Sequence, residues 1–101
     1  MDYKIEAVKS QKEVSLIGTF TFRDHDKFFE IISLIKKGRD KEIVFELSQC
    51  DFIDSAALGM FVIASDEASI HGTKLKIKGV QGRVKDVMFA ARFDNLYEFV
   101  E

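Results

Sequence analysis

Several features that define other classes of protein are missing from this 101-residue sequence. It contains no proline, only one cysteine, and no apolar run near the roughly 20 residues of a membrane-spanning helix. A lone Cys50 excludes an internal disulfide and is typical of a reducing compartment, so we expect a cytoplasmic protein. Met1 to Val8 alternates polar with apolar residues, unlike a signal peptide. We therefore expect no direct insertion into a membrane.

The charges are also balanced, with 15 Lys and Arg against 17 Asp and Glu and a net charge of −2. Without a basic field, binding to nucleic acid is not expected. His25, His71 and Cys50 do not form a recognised metal-binding pattern. The Gly79 to Gly82 segment lacks the lysine of a phosphate-binding loop, so its glycines indicate a turn. We predict neither a metal nor a cofactor.

What the sequence does contain is enough apolar material for a core. Apolar residues make up 47% of the chain and include ten phenylalanines. A chain of this size buries roughly two thirds of its unfolded surface without metals or disulfides. No linker, low-complexity tract or internal repeat interrupts it. We therefore predict a single domain over residues 1–101.

The first half of the sequence predicts a hairpin and a helix. Apolar residues alternate in Tyr3 to Val8 and in Val14 to Phe20, which indicates two half-buried strands. The polar residues Ser10, Gln11 and Lys12 predict an antiparallel turn between them. From Asp24 the period becomes helical, with a cap at Asp24 or Asp26 and a stop at Gly38. The apolar face of this helix is Phe28, Ile31, Ile32 and Ile35.

The second half alternates strands with helices. Glu42 to Leu47 reads as a central strand buried on both faces, followed by a polar connection from Ser48 to Asp51. A helix from Ala56 to His71 ends at Gly72. Thr73 to Lys78 predicts a strand with Leu75 and Ile77 inward and three lysines on a solvated face. Helical spacing then recurs at Val84, Val87, Met88 and Ala91, before an ambiguous tail from Phe93.

This order predicts an α/β fold, in which an N-terminal antiparallel hairpin is followed by parallel crossovers in a mixed β-sheet with helices packed against it.

The junction before the second helix is the most informative stretch. Either Asp54 or Ser55 is a suitable cap for that helix. A serine at the start of a helix is also exposed, and the backbone N–H groups there can accommodate an added phosphate. The sequence around Ser55 lacks the flanking glycines of a nucleophile elbow, and no histidine is clearly placed as its base. A serine hydrolase is thus a weaker alternative than a binding protein.

One series of segments runs along nearly the whole chain. It consists of the strand Ile43 to Leu47, the Asp51-Phe52-Ile53-Asp54-Ser55 segment with Leu58-Gly59, the strand Leu75 to Ile77, and Gly82, Val84, Val87 and Met88. In these segments and their order the sequence resembles the STAS domains of anti-sigma-factor antagonists.

This resemblance implies a partner switch. It implies that Ser55 is phosphorylated by a serine kinase that doubles as the anti-sigma factor, that a PP2C-type phosphatase removes the phosphate, and that only unmodified protein binds the partner. The residues that we expect at the partner contact are Phe20, Phe22, Asp54, Ser55, Ala56 and Ala57, whereas Met60 is expected in the core. An alternative is a STAS scaffold or transport-associated subunit in which Ser55 is only a helix cap.

Overall fold

The structure is a computed structural model that describes residues 1–9 and 11–101. Within those residues it has six β-strands, three α-helices and two short 3₁₀ turns, Phe22–Asp24 and Phe93–Asn95. The strands are β1 (Asp2–Val8), β2 (Gln11–Phe20), β3 (Glu42–Glu46), β4 (Cys50–Ile53), β5 (Lys74–Lys78) and β6 (Glu98–Val100). The helices are α1 (His25–Lys36), α2 (Ser55–His71) and α3 (Gly82–Ala90). This confirms the predicted α/β class and adds β4 and β6.

The sheet has the strand order β1-β2-β3-β5-β6, and β4 pairs with the far end of β2. Strands β1 and β2 are antiparallel, with Val8 opposite Gln11, which confirms the hairpin. Gln11 and Lys12 belong to β2 rather than to the turn, and Ser10 lies outside the described residues. The other strand pairs are parallel, as the alternating strands and helices predicted.

Strand β3 is central, and its Ile43, Val44 and Phe45 are buried as predicted. One face of the sheet packs on α1 and α2 through aromatic rings. The ring of Phe61 in α2 lies 5.2 Å from Phe28 of α1 and 5.3 Å from Phe45 of β3, measured between centroids. Aromatic pairs at such distances and tilts stabilise a core beyond their area burial. This cluster fixes α2, and with it the junction before α2, on the sheet.

The opposite face of the sheet is covered by ion pairs. Lys74, Lys76 and Lys78 of β5, predicted to be a solvated face, do point away from Leu75 and Ile77. Their Nζ atoms lie 2.9, 3.0 and 3.4 Å from carboxylate oxygens of Glu98, Glu42 and Glu13, respectively. The lysines thus find acidic partners within the sheet itself.

Three local predictions differ from the structure. Ile5 is 39% exposed and Ala7 is exposed, because β1 is an edge strand. Ala91 is exposed because α3 ends one residue earlier. The Asp24 carboxylate does not cap α1: it accepts the Thr21 N–H at 2.9 Å and contacts the amino group of Met1 at 3.0 Å. Asp26 is exposed, whereas Gly38 ends α1 as predicted, with φ of 64°.

Candidate functional site

The candidate site begins at β4, a strand that the sequence did not indicate. Residues 48–51 were predicted as a polar connection, but Cys50–Ile53 pairs in parallel with Gly18–Phe20 of β2. Cys50 is buried at the start of this strand, and burial raises the pKa of its thiol. A raised pKa disfavours the reactive thiolate, which fits a packing role for Cys50. Strand β4 ends at the edge of the sheet, and α2 begins two residues later at Ser55.

Asp54 is the residue that caps α2. Its backbone is extended, and its Oδ1 accepts the N–H of Ala57 at 2.8 Å. This is the geometry that makes aspartate a favourable helix cap, because it satisfies a backbone donor that has no partner within the helix. Ser55 is therefore not needed as the cap. It is the first residue of α2 and is exposed.

Asp54 also joins α2 to the loop after β2. Its Oδ2 accepts the N–H of Phe22 at 3.1 Å, and its own N–H donates to the carbonyl of Phe20 at 3.3 Å. The two carboxylate oxygens thus bind two separate segments of the chain. As a result Phe22, whose side chain is 63% exposed, is held beside the start of α2.

The structure places the predicted contact residues unevenly. Ser55 and Phe22 are exposed, and Asp54 and Ala56 are half-buried. Phe20 and Ala57 are fully buried, so their inclusion in the contact surface is wrong. The ring of Phe20 lies 4.9 Å from Phe28 and 5.5 Å from Phe61, and Ala57 lies on the buried face of α2 together with Phe61 and Ala64. Met60 is buried, as expected for a core residue.

A groove beside Ser55 includes two residues that the sequence did not single out, Phe29 and Ile63. It has a volume of about 290 Å³ and is lined by Phe22, His25, Phe29, Ala56, Gly59, Met60 and Ile63. We call it the α1–α2 groove. The available signal was that α2 is apolar on nearly all sides in its first half, which leaves Val62 and Ile63 on its outer face. An apolar pattern on all sides has no period, so by itself it does not separate core from exposed positions.

Both histidines are engaged elsewhere than at Ser55. Nδ1 of His25 donates to the carbonyl of Phe22 at 2.9 Å, and its Nε2 lies 3.2 Å from Asp26. His71 is the last residue of α2, with its Nε2 3.5 Å from Glu67. Across residues 1–9 and 11–101 no hydrogen bond joins a histidine to Ser55, so the geometry of a serine and its base is not seen.

The model of the STAS domain family matches residues 4–101. The chain belongs to the STAS domain family. This confirms the resemblance drawn from the Asp54-Ser55 junction and the flanking strands. A search of curated proteins finds no match to this STAS sequence.

Solved structures show the same fold at low sequence identity. The unphosphorylated anti-sigma factor antagonist SpoIIAA superposes with a TM-score of 0.79 and 15% identity over 99% of this chain and 88% of that one. A Thermotoga maritima protein assigned as an anti-sigma factor antagonist gives 0.89 and 18%, over 98% and 86%. A sulfate transporter family protein from Wolinella succinogenes gives 0.76 and 17%, over 89% and 76%. At these identities the likeness establishes the fold.

Of the helices in the described residues of this STAS domain, none has the length and apolar character needed to cross a bilayer.

Proposed function

We propose that this STAS domain is an anti-sigma-factor antagonist that binds an anti-sigma factor with serine kinase activity while Ser55 is unphosphorylated. The observation that carries the proposal is that the helix cap and the exposed hydroxyl at the junction belong to two different residues. Asp54 caps α2, while Ser55 is exposed at the first helical position. Since α2 does not depend on Ser55 for its cap, the hydroxyl is available to a kinase.

A phosphate at this position changes binding rather than folding. It adds a charge of about −1.5 to −2. At a helix N-terminus that charge gains roughly 0.3–1 kcal/mol, so we expect the fold to tolerate it. In an interface, a second negative charge about 5 Å from the phosphate repels it, and at an effective dielectric near 20 this repulsion costs roughly 3 kcal/mol. That cost corresponds to about a hundredfold loss of affinity.

The similarity to SpoIIAA supports this arrangement. SpoIIAA has been solved in an unphosphorylated and a phosphorylated form, and this chain superposes on them with TM-scores of 0.79 and 0.77. One fold thus accommodates both states in that protein. Under the proposal a PP2C-type phosphatase restores unmodified Ser55 here, which makes the switch reversible.

The test compares wild type, Ser55→Ala and Ser55→Asp as baits in a native extract, with bound proteins identified by mass spectrometry and Ser55 examined for phosphate. We expect an anti-sigma-like kinase to be retained by wild type and Ser55→Ala and lost by Ser55→Asp. Thermal unfolding of the three proteins is the control, and we expect their midpoints to agree closely. Identical binding profiles for all three baits contradict the proposal.

A second candidate is a transport-associated STAS subunit, favoured by the TM-score of 0.76 to the sulfate transporter family protein. Under this alternative Ser55 has no regulatory role. The same experiment separates the two functions, because co-purification of membrane transport components with all three baits supports the second one.

A further inference from the structure

We propose that the α1–α2 groove is the second half of the partner contact and receives an apolar side chain from the same kinase-type protein that recognises Ser55. This inference rests on the proposed function and specifies the chemistry of its partner. Three observations support it: the composition of the groove, a glycine that the fold itself does not require, and the direct connection of the groove to the Asp54-Ser55 junction.

The groove is an exposed apolar surface. Phe22, Phe29 and Ile63 line it and are 63%, 43% and 43% exposed. The imidazole of His25, which also lines the groove, stacks on the Phe22 ring at 4.9 Å between centroids. Its Nδ1 is already hydrogen-bonded to the Phe22 carbonyl. Such a surface offers an incoming group apolar contact rather than hydrogen bonds. An apolar side chain of a protein partner is therefore the occupant that fits it.

Gly59 forms part of the groove wall in the interior of α2. A glycine in mid-helix destabilises the helix relative to alanine. A Cβ added at Gly59 would meet no atom within 4 Å, and the backbone there is ordinary helix. Among the described residues, nothing in the packing therefore calls for glycine at this position. A flat helix surface does, however, allow the backbone of another protein to approach closely.

The groove is continuous with the site of phosphorylation. Ala56, the residue after Ser55, lies in its wall, and Asp54 holds the Phe22 backbone through the 3.1 Å bond to Oδ2. A partner that covers Ser55 therefore also reaches the groove. A phosphate on Ser55 would lie at the edge of this apolar contact, where loss of solvent makes its charge most costly.

The first test adds bulk to the groove without disturbing the fold. Gly59→Gln adds a side chain to the wall of the groove. Ser69→Gln adds similar bulk at an exposed position of α2 outside the groove. The probe is the purified protein that wild type and Ser55→Ala retain and Ser55→Asp loses. We expect Gly59→Gln to weaken binding by at least tenfold, which is about 1.4 kcal/mol. Ser69→Gln should bind within about twofold of wild type, and Gly59→Gln should melt no lower than wild type because it gains helix propensity.

The second test removes apolar surface from the groove. Ile63→Ser is compared with Ile70→Ser, since Ile70 is on the same helix, is 74% exposed and lies outside the groove. Burial of a large aliphatic side chain in an interface stabilises the complex by removing apolar surface from water. We therefore expect about a tenfold loss for Ile63→Ser. Ile70→Ser should leave the affinity near that of wild type.

The outcomes distinguish this inference from the function on which it rests. If Ser55→Asp loses the partner but Gly59→Gln and Ile63→Ser bind like wild type, the groove assignment is overturned and the switch stands. If no protein is lost on Ser55→Asp, both are overturned. Sedimentation of wild type and Gly59→Gln addresses a different occupant: a wild-type dimer that becomes monomeric on Gly59→Gln would assign the groove to a second copy of this chain and overturn the proposal.

Discussion

At the scale of single residues, Asp54 contacts both parts of the candidate site. Its Oδ1 caps α2 and its Oδ2 binds the Phe22 N–H. Asp54→Asn retains an oxygen for the cap but places an amide donor against the Phe22 donor. Asp54→Ala removes both acceptors. We expect unfolding free energies to fall by about 1 kcal/mol for Asp54→Asn and by about 2 kcal/mol for Asp54→Ala, measured by urea titration.

Hydrogen exchange of backbone amides tests the local part of this prediction. In Asp54→Asn the amide of Phe22 should exchange faster than in wild type, while that of Ala57 keeps most of its protection because the cap is retained. Equal protection of Phe22 in both proteins would show that the Oδ2 contact does not hold the loop.

The same residue shows how far sequence reasoning reaches. The sequence identified Asp54 as a possible cap from its position before an apolar helical run. It gave no sign of the bond to Phe22, because that contact joins positions 32 residues apart. Phe20 was misassigned for a similar reason: its burial depends on rings from α1 and α2 rather than on its neighbours in the chain.

At the scale of elements, the long segments were predictable and the short ones were not. Helices α1 and α2 carry clear periodicity or long apolar content, and each ends at a glycine with positive φ, Gly38 and Gly72. Strands β4 and β6 have four and three residues, too few to show a period. Each is held by pairing with a longer strand, β4 with β2 and β6 with β5. Such pairing is a tertiary effect.

A buried hydrogen bond attaches the C-terminal segment to α2. Tyr97 is buried, and its hydroxyl donates to the carbonyl of Phe61 in α2 at 2.7 Å. Tyr97→Phe keeps the ring and removes this bond, so we expect a loss of about 1 kcal/mol in unfolding free energy. For a domain of this size the melting temperature should fall by about 5 °C.

The matched control for Tyr97→Phe is Tyr3→Phe. The Tyr3 hydroxyl donates to Glu30 at a similar 2.8 Å, but at the surface, where water replaces a lost partner. We expect a change below about 0.5 kcal/mol for this control. A shift of equal size in the two variants would contradict a structural role specific to the buried hydroxyl of Tyr97.

At the scale of the whole molecule, the acid stability of the fold depends in part on Asp24. Burial by itself raises the pKa of this carboxyl, but the Thr21 N–H, the Met1 amino group and Lys27 outweigh it, so the pKa is lowered from 3.8. A carboxyl whose pKa is lower in the folded protein stabilises the fold fully above its unfolded pKa. That stabilisation disappears as the pH falls through the lower, folded value.

The Asp24→Asn variant tests this dependence. Because asparagine does not ionise, the variant offers the Met1 amino group a neutral acceptor in place of a charged one, so wild type should exceed it in unfolding free energy by about 1 kcal/mol at neutral pH. The difference should stay constant down to about pH 5 and shrink below the unfolded pKa near 3.8, as measured by urea titration at a series of pH values. Asp26→Asn is the control, since Asp26 is 93% exposed and should give nearly parallel curves. A gap between wild type and Asp24→Asn that persists unchanged to pH 2 would mean that the residue acts by packing and hydrogen bonding rather than by its charge.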